Sequence, residues 1–233
     1  MNVSPRTISL LSYTLLIACL MLGGCSNGRF EPKNLGKSNV DMILDLHVIE
    51  NQLLLAELMD KLYKRNPDEL HKLSGATIES RRRQLFNHPG QRLRFQELGN
   101  AESIYAMDLA FSPTFRGDRV FALMAGLAGM LRSSYHNRSE FFLWHSLDAK
   151  RLFRSARNVE IMAWKLKVQM QPDGQPFLIT YGADGLIDNT SFDRLYGKLI
   201  GNQDMVAKII ASRYQRNVSM AIQNTATFIF IPI

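Results

Sequence analysis

From residue 38 onward the amino-acid sequence predicts one mostly α-helical domain carrying one small β-hairpin. Two observations carry the helical assignment. Apolar residues recur at steps of three and four along most of the chain, the period of a helix with one face turned inward. Most such stretches open on Ser, Thr or Asp, and several close at Pro or Gly, residues that start and stop helices. A third observation marks the exception. Between Leu166 and Tyr181 the period drops to two around the turn Pro172-Asp173-Gly174, which predicts a hairpin over 166–181. No linker or break in composition divides residues 38–233, so they read as a single domain.

The elements before it come first in chain order. Met1 to Thr7 carries Arg6, Ile8 to Leu22 has no charge, and Leu22-Gly23-Gly24-Cys25 follows. A basic start, an apolar stretch and small residues before a cut describe a secretory signal. As a membrane span, Ile8 to Leu22 would cover only ~22 Å of a ~30 Å hydrocarbon layer. The Leu-Gly-Gly-Cys ending resembles the lipobox of bacterial lipoproteins. That resemblance implies recognition positions at Leu22, Gly23 and Gly24, cleavage before Cys25, and a diacylglyceryl group on the Cys25 thiol. It further implies residues 1–24 as a removed signal, a cell-envelope location and, with Ser26 rather than aspartate after the cysteine, an outer-membrane anchor facing the periplasm. Residues 25–37 are polar, with Gly28, Pro32 and Gly36, and read as a lipidated flexible tether.

The first domain helix should begin at Ser38, where Asp41 completes a capping box, and end near Arg65 before Pro67. Val40, Leu44, His47, Asn51, Leu54, Leu58 and Leu62 form its stripe, which Ile43, Leu46 and Leu53 widen. Short helices are expected over Asp68–Leu73, Thr77–Asn87 and Ala101–Ala110. Asp118 can cap a helix whose stretch Val120 to Leu131 is apolar or glycine throughout. A helix apolar all round is buried all round, so 118–134 is the expected core helix, with Gly126 or Gly129 at a close helix contact. Asp148 should cap a long helix to about Leu166. Ser191 should cap another, closed by Gly201, and a last helix should run over Gln203–Gln223. The apolar terminal stretch Thr227 to Ile233 is expected to tuck against the core.

Composition narrows the chemistry. The net charge is +7, and loss of Arg6 with the signal leaves 27 basic against 21 acidic residues. That mild excess favours anionic surfaces and falls short of a nucleic-acid footprint, so no nucleic-acid partner is expected. The two cysteines are Cys19 and Cys25. One leaves with the signal and the other is acylated, so the mature chain is expected to have no disulfide, no thiol nucleophile and no thiolate metal site. His47, His71, His88, His136 and His145 include no pair at the three- or four-residue step of a helical metal site, and no metal or cofactor is expected. No Gly-Lys-Ser/Thr cradle, Gly-x-Gly-x-x-Gly or Gly-x-Ser-x-Gly occurs.

Three features remain as candidate sites. Arg81, Arg82 and Arg83 read either as an anion-binding patch or as a solvated helix face with Leu85 and Phe86 inward, the commoner use of a charge run. His145 lies three residues before Asp148 and reads either as a ligand or general base, or as a partly buried histidine beside Trp144. Asp41, Asp45, Glu50, Glu57 and Asp60 read as the wet face of the first helix, and His47, with Glu50 and Asn51 on its face, as a hydrogen-bonded core histidine.

The expectation is therefore a lipid-anchored envelope protein without a catalytic set, binding or scaffolding another envelope protein. The alternatives are an enzyme on an envelope polymer, acting through His145 or a first-helix carboxylate, and a carrier of an apolar ligand or lipid. Three surfaces would tell them apart: an exposed apolar patch, a deep pocket with convergent polar groups, or an elongated apolar cavity.

Overall fold

Ser38 starts the domain. Its hydroxyl accepts from the Asp41 amide at 3.2 Å, and the Asp41 carboxylate accepts from the Ser38 amide at 2.8 Å, closing the capping box. From there α1 runs over Asn39–Arg65 and stops at Asn66, ahead of Pro67. In this computed structural model the described residues are 36–88, 90–143, 145–181, 190–213 and 230–233. The chain divides after Gly36, and the account below concerns the unit Lys37–Ile233.

Six further α-helices follow among the described residues: α2 Pro67–His71, α3 Ile78–Phe86, α4 Ser103–Ala110, α5 Arg119–Ser134, α6 Ala149–Val168 and α7 Ser191–Arg213. A 3-10 turn covers Gln96–Leu98. The caps expected at Asp118 and Asp148 form, Thr77 caps α3, and Ser191 is the first residue within α7 instead of its cap. Thr77 accepts from the Ser80 amide at 3.0 Å, Asp118 from the Phe121 amide at 2.8 Å and Asp148 from the Lys150 amide at 2.9 Å.

Helix α5 is the centre, and α1, α2, α4 and α6 all pack on it. Every residue from Arg119 to Leu131 is buried. Such a helix needs neighbours on all sides, and glycine lets one come very close. A methyl on Gly126 would sit 2.3 Å from the Met107 amide nitrogen and 2.6 Å from the Ser103 carbonyl oxygen, so α4 lies against the α5 backbone itself. At Gly129 the nearest atom would be 3.5 Å away, an ordinary contact. Helices α6 and α7 pack side by side, and α7 returns to α1.

Two expectations about elements need correction. The hairpin over 166–181 reduces to one bridge, Met170 with Pro176, and no strand occurs among the described residues. Helix α6 continues to Val168, because Ile161, Met162, Lys165 and Leu166 stay buried on its inner side. The turn itself is present: the Gly174 amide donates to the Gln171 carbonyl at 2.9 Å. Gly201 likewise does not end a helix. Helix α7 runs through it because Leu199, Gln203, Val206 and Ile210 keep one buried face across the glycine. Burying that face outweighs the ~1 kcal/mol an exposed mid-helix glycine costs. The expected continuation of this helix to Gln223 lies outside the described residues.

Two asparagines pin the extended segments. The Asn66 side chain donates to the Ile179 carbonyl at 3.0 Å and accepts its amide at 2.7 Å. Asn158 donates to the Ile231 carbonyl at 2.8 Å and accepts its amide at 2.7 Å. Each carboxamide thus replaces a neighbouring strand, which is why two extended pieces sit on helices without a sheet. Phe230 is buried beside Asn158's partner, so the described end of the terminal stretch is tucked in as expected.

Candidate functional site

Helix α1 has two apolar faces. The inner one, with Leu44, Val48, Leu55, Leu58 and Leu62, lies in the core. The outer one comprises Met42, Leu46, Ile49 and Leu53, which are 41, 65, 52 and 61 % exposed. Leu46 and Leu53, and Ile43 at 39 % exposed, therefore do not widen the inner stripe. At 100° per residue Leu46 stands about 200° from Leu44, on the far side of the helix. The outer steps of four, three and four residues are those of a helix-packing seam. Isolated exposed leucines are ordinary, whereas a contiguous row marks a contact surface. Exposed Glu50 and Glu57 flank the row, and Glu57 reaches Arg194 at only 3.4 Å.

Several first-helix carboxylates have structural partners instead of lining a wet face. Asp41 is buried in the capping box. Asp45 pairs with Lys37 and accepts from the Phe141 amide at 2.8 Å. Asp60 pairs with Arg82 at 3.0 Å. His47 is half-buried, and burial lowers its pKa against the opposing charge of Glu50. Asn51 does serve the core, but toward Tyr135 and Asn202 (3.4 and 3.2 Å), while Tyr135 donates to Gln203 at 2.9 Å. His145 meets Phe141 and Phe142 edge-on at 6.3 and 5.7 Å. Desolvation and then Arg138 lower its pKa, with Asp41 opposing. Asp148, at its expected post, caps α6. Among the described residues no three His, Cys, Asp or Glu side chains converge as metal ligands would.

The arginine triplet diverges. Arg81 is buried, with both terminal nitrogens 2.9 Å from the Glu97 carboxylate and one 3.2 Å from Asp118. Tyr63 donates to Asp118 at 2.6 Å, and the Arg81 guanidinium lies 3.5 Å over the Phe121 ring. Burial would lower the Arg81 pKa, but Glu97, Tyr63 and Asp118 outweigh it and raise it. Burial raises that of Asp118, with Tyr63, the Phe121 amide and Arg81 opposing. Arg82 turns to Asp60, and Arg83 is exposed, 3.8 Å from Glu79. The three side chains share no surface.

A cavity of about 390 Å³ opens elsewhere, where the N-terminus of α4 meets the C-terminus of α5 and the start of α6. Arg92, Ser103, Ser133, His136, Asn137 and Arg151 line it, with Glu102 and Gly129. Ser103, His136 and Asn137 have φ of 50°, 57° and 58°, a left-handed backbone that side chains rarely adopt. No single sequence motif announces this site, because its residues come from five separate stretches, the last being the terminal residue Ile233. A far smaller apolar cleft, about 30 Å³, lies between α1 and α5, lined among others by Val48, Leu55, Phe86 and Leu131.

Cys25 and the expected recognition positions Leu22, Gly23 and Gly24 lie outside the described residues. No helix among the described residues is long and apolar enough to cross a membrane. Comparisons with protein-family models, curated proteins and solved structures find no match for this chain.

Proposed function

We propose that this protein is a bacterial envelope lipoprotein, held by acylated Cys25 at the outer membrane, whose helical domain binds a second envelope protein through the outer face of α1. The observation that carries the binding role is the exposed row Met42, Leu46, Ile49 and Leu53. Its heptad-like spacing suits a partner helix presenting its own apolar seam. The acidic flank, Glu50 and Glu57, favours a partner with basic residues beside that seam and disfavours an anionic bilayer, which attracts lysine- and arginine-rich helices.

The other two readings have less support. The carboxylates on α1 that an enzyme would use are mostly engaged in caps and ion pairs. The apolar cleft of about 30 Å³ has room for roughly one water, not for an acyl chain.

A photocrosslinking amino acid placed at Leu46 or Ile49 of the full chain in cells tests the proposal. One discrete protein adduct is expected, absent with the probe at exposed Glu79 and lost when Leu53→Asp is added. Adducts to lipid alone, or only to a second copy of this chain, would defeat it.

A further inference from the structure

The outer face of α1 has two edges, and they carry opposite charge. The row Met42, Leu46, Ile49 and Leu53 sits between them. Glu50 and Glu57, one heptad apart, stand on one edge, and Gln52 stands on the other. Gln52 and Val48 share the small apolar cleft with Arg132, Arg138 and Ser139. One turn nearer the start of α1, the Asp45 carboxylate accepts from the Phe141 amide at 2.8 Å. The segment 138–141 therefore runs along this second edge and brings Arg138 to it.

The cations at this edge have no anion set against them. No Asp or Glu lines the cleft. The Arg138 side chain is half-buried and makes no ion pair or hydrogen bond among the described residues. Arg132 donates one terminal nitrogen to the His88 carbonyl at 2.8 Å, and its other terminal nitrogen is buried without a hydrogen bond. Burial lowers the Arg132 pKa, with no carboxylate near enough to oppose it. Of the carboxylates around this segment, Asp41 closes the capping box, Asp45 pairs with Lys37, and Glu140 is also engaged. A guanidinium partly withdrawn from water is costly until an anion pairs with it. At about 30 Å³ the cleft is too small for a free ligand, so that anion has to be carried by a larger molecule.

We propose that Arg138, beside Arg132 in the cleft wall, receives a carboxylate side chain of the helix that docks on α1. The partner is then an amphipathic helix with an apolar seam, Lys or Arg on the edge over Glu50 and Glu57, and Asp or Glu on the edge over Arg138. This inference rests on the docking role proposed above for the outer face of α1. It adds the specificity that an apolar row by itself does not supply. Many helices offer an apolar seam, whereas opposite charges on the two edges attract one pattern and repel its reverse. Turning the partner end for end exchanges its edges, so the same charges set the direction in which it lies on α1. Arginine suits this post because its planar fork pairs with a carboxylate through two hydrogen bonds.

The test uses the full chain in cells, with the photocrosslinking amino acid at Leu46, and reads the yield of the partner adduct. Arg138→Glu should lower that yield at least about fivefold, with a thermal melt confirming that the variant is folded. Arg83→Glu, a charge reversal at an exposed position of α3, should leave it unchanged. A probe at Gln52, followed by peptide mapping of its adduct, should give a partner segment with Asp or Glu within one helical turn of the attachment point. Reversing that partner residue to Lys should restore the Leu46 adduct of Arg138→Glu, which a merely misfolded variant would not allow. The proposal is overturned by a yield that Arg138→Glu leaves undiminished, by a mapped segment with no such carboxylate, or by a reversed pair that restores nothing. Each of these leaves the docking role of α1 standing, whereas no Leu46 adduct in the parent defeats both.

Discussion

At the residue scale, Arg81 shows how a charge run can mislead. Three consecutive arginines stand about 100° apart around α3, so they cannot share a face, and each takes the partner its direction offers. Arg81 is turned into the core, where Asp118 would otherwise be a buried charge without a cation. Removing one member of such a pair typically costs about 3–5 kcal/mol. Arg81→Ala should therefore lower Tm on the order of 10 °C, while Arg83→Ala, on the surface, should change stability by less than ~0.5 kcal/mol. Equal Tm values for the two would mean the Arg81 network contributes nothing.

His47 and His136 carry a pH expectation. Both have folded pKa values depressed below 6.5, chiefly by burial. As pH falls, the unfolded chain takes up these protons first, so their contribution is complete above about 6.5 and is lost as pH drops through the folded values. Urea midpoints should fall on acidification from pH ~7 to ~5. The slope should flatten in His47→Gln and His136→Asn, the latter chosen because asparagine tolerates the left-handed backbone. Midpoints that rise over this interval would contradict the assignment.

At the scale of elements, two glycines make opposite predictions. Gly126→Ala would gain ~1 kcal/mol of helix propensity, but its methyl has only 2.3 Å to the Met107 nitrogen. Backbone cannot yield as a side-chain tip can, and overpacking of this sort costs about 1–3 kcal/mol, so net destabilisation is expected. Gly201→Ala has open space around it, and α7 continues through it, so stabilisation by about 0.5–1 kcal/mol is expected. Chemical denaturation of both variants decides; changes of the same sign would mean the α4–α5 approach is looser than described. Leu127, fully buried in the middle of α5, gives the larger test. Leu127→Asp puts an unpaired charge into the core and should abolish cooperative melting.

At the scale of the whole molecule, the anchor is the decisive prediction. The mature protein should begin at Cys25 and carry the added mass of a diacylglyceryl group, with or without an acylated amine. Cys25→Ala should give uncleaved precursor or unmodified soluble chain. Intact-mass measurement on the purified mature protein checks this, and an unmodified chain starting at another residue would remove the anchor from the account. A chain starting at Ser26 should fold in aqueous buffer without detergent, since α5 is the core of the domain and is much too short to span a bilayer.

The sequence by itself determined the mostly helical architecture, nearly every helix start, and the identity of the core helix. These are local or one-dimensional properties: a cap needs a residue and its neighbour three positions on, and a helix apolar all round can only be buried. The proposed anchor rests on a contiguous motif of the same local kind, Leu22-Gly23-Gly24-Cys25. What tertiary structure alone decided is direction and neighbourhood. Whether Leu46 joins Leu44 or faces away depends on which side of α1 the core occupies, because a leucine is apolar on either side. Whether Gly201 ends a helix depends on the buried face that continues past it. The polar cavity was illegible in the sequence. Arg92, Ser103, His136 and Arg151 lie on four segments, and only the packing of α4 and α6 against the end of α5 brings their side chains to one hollow.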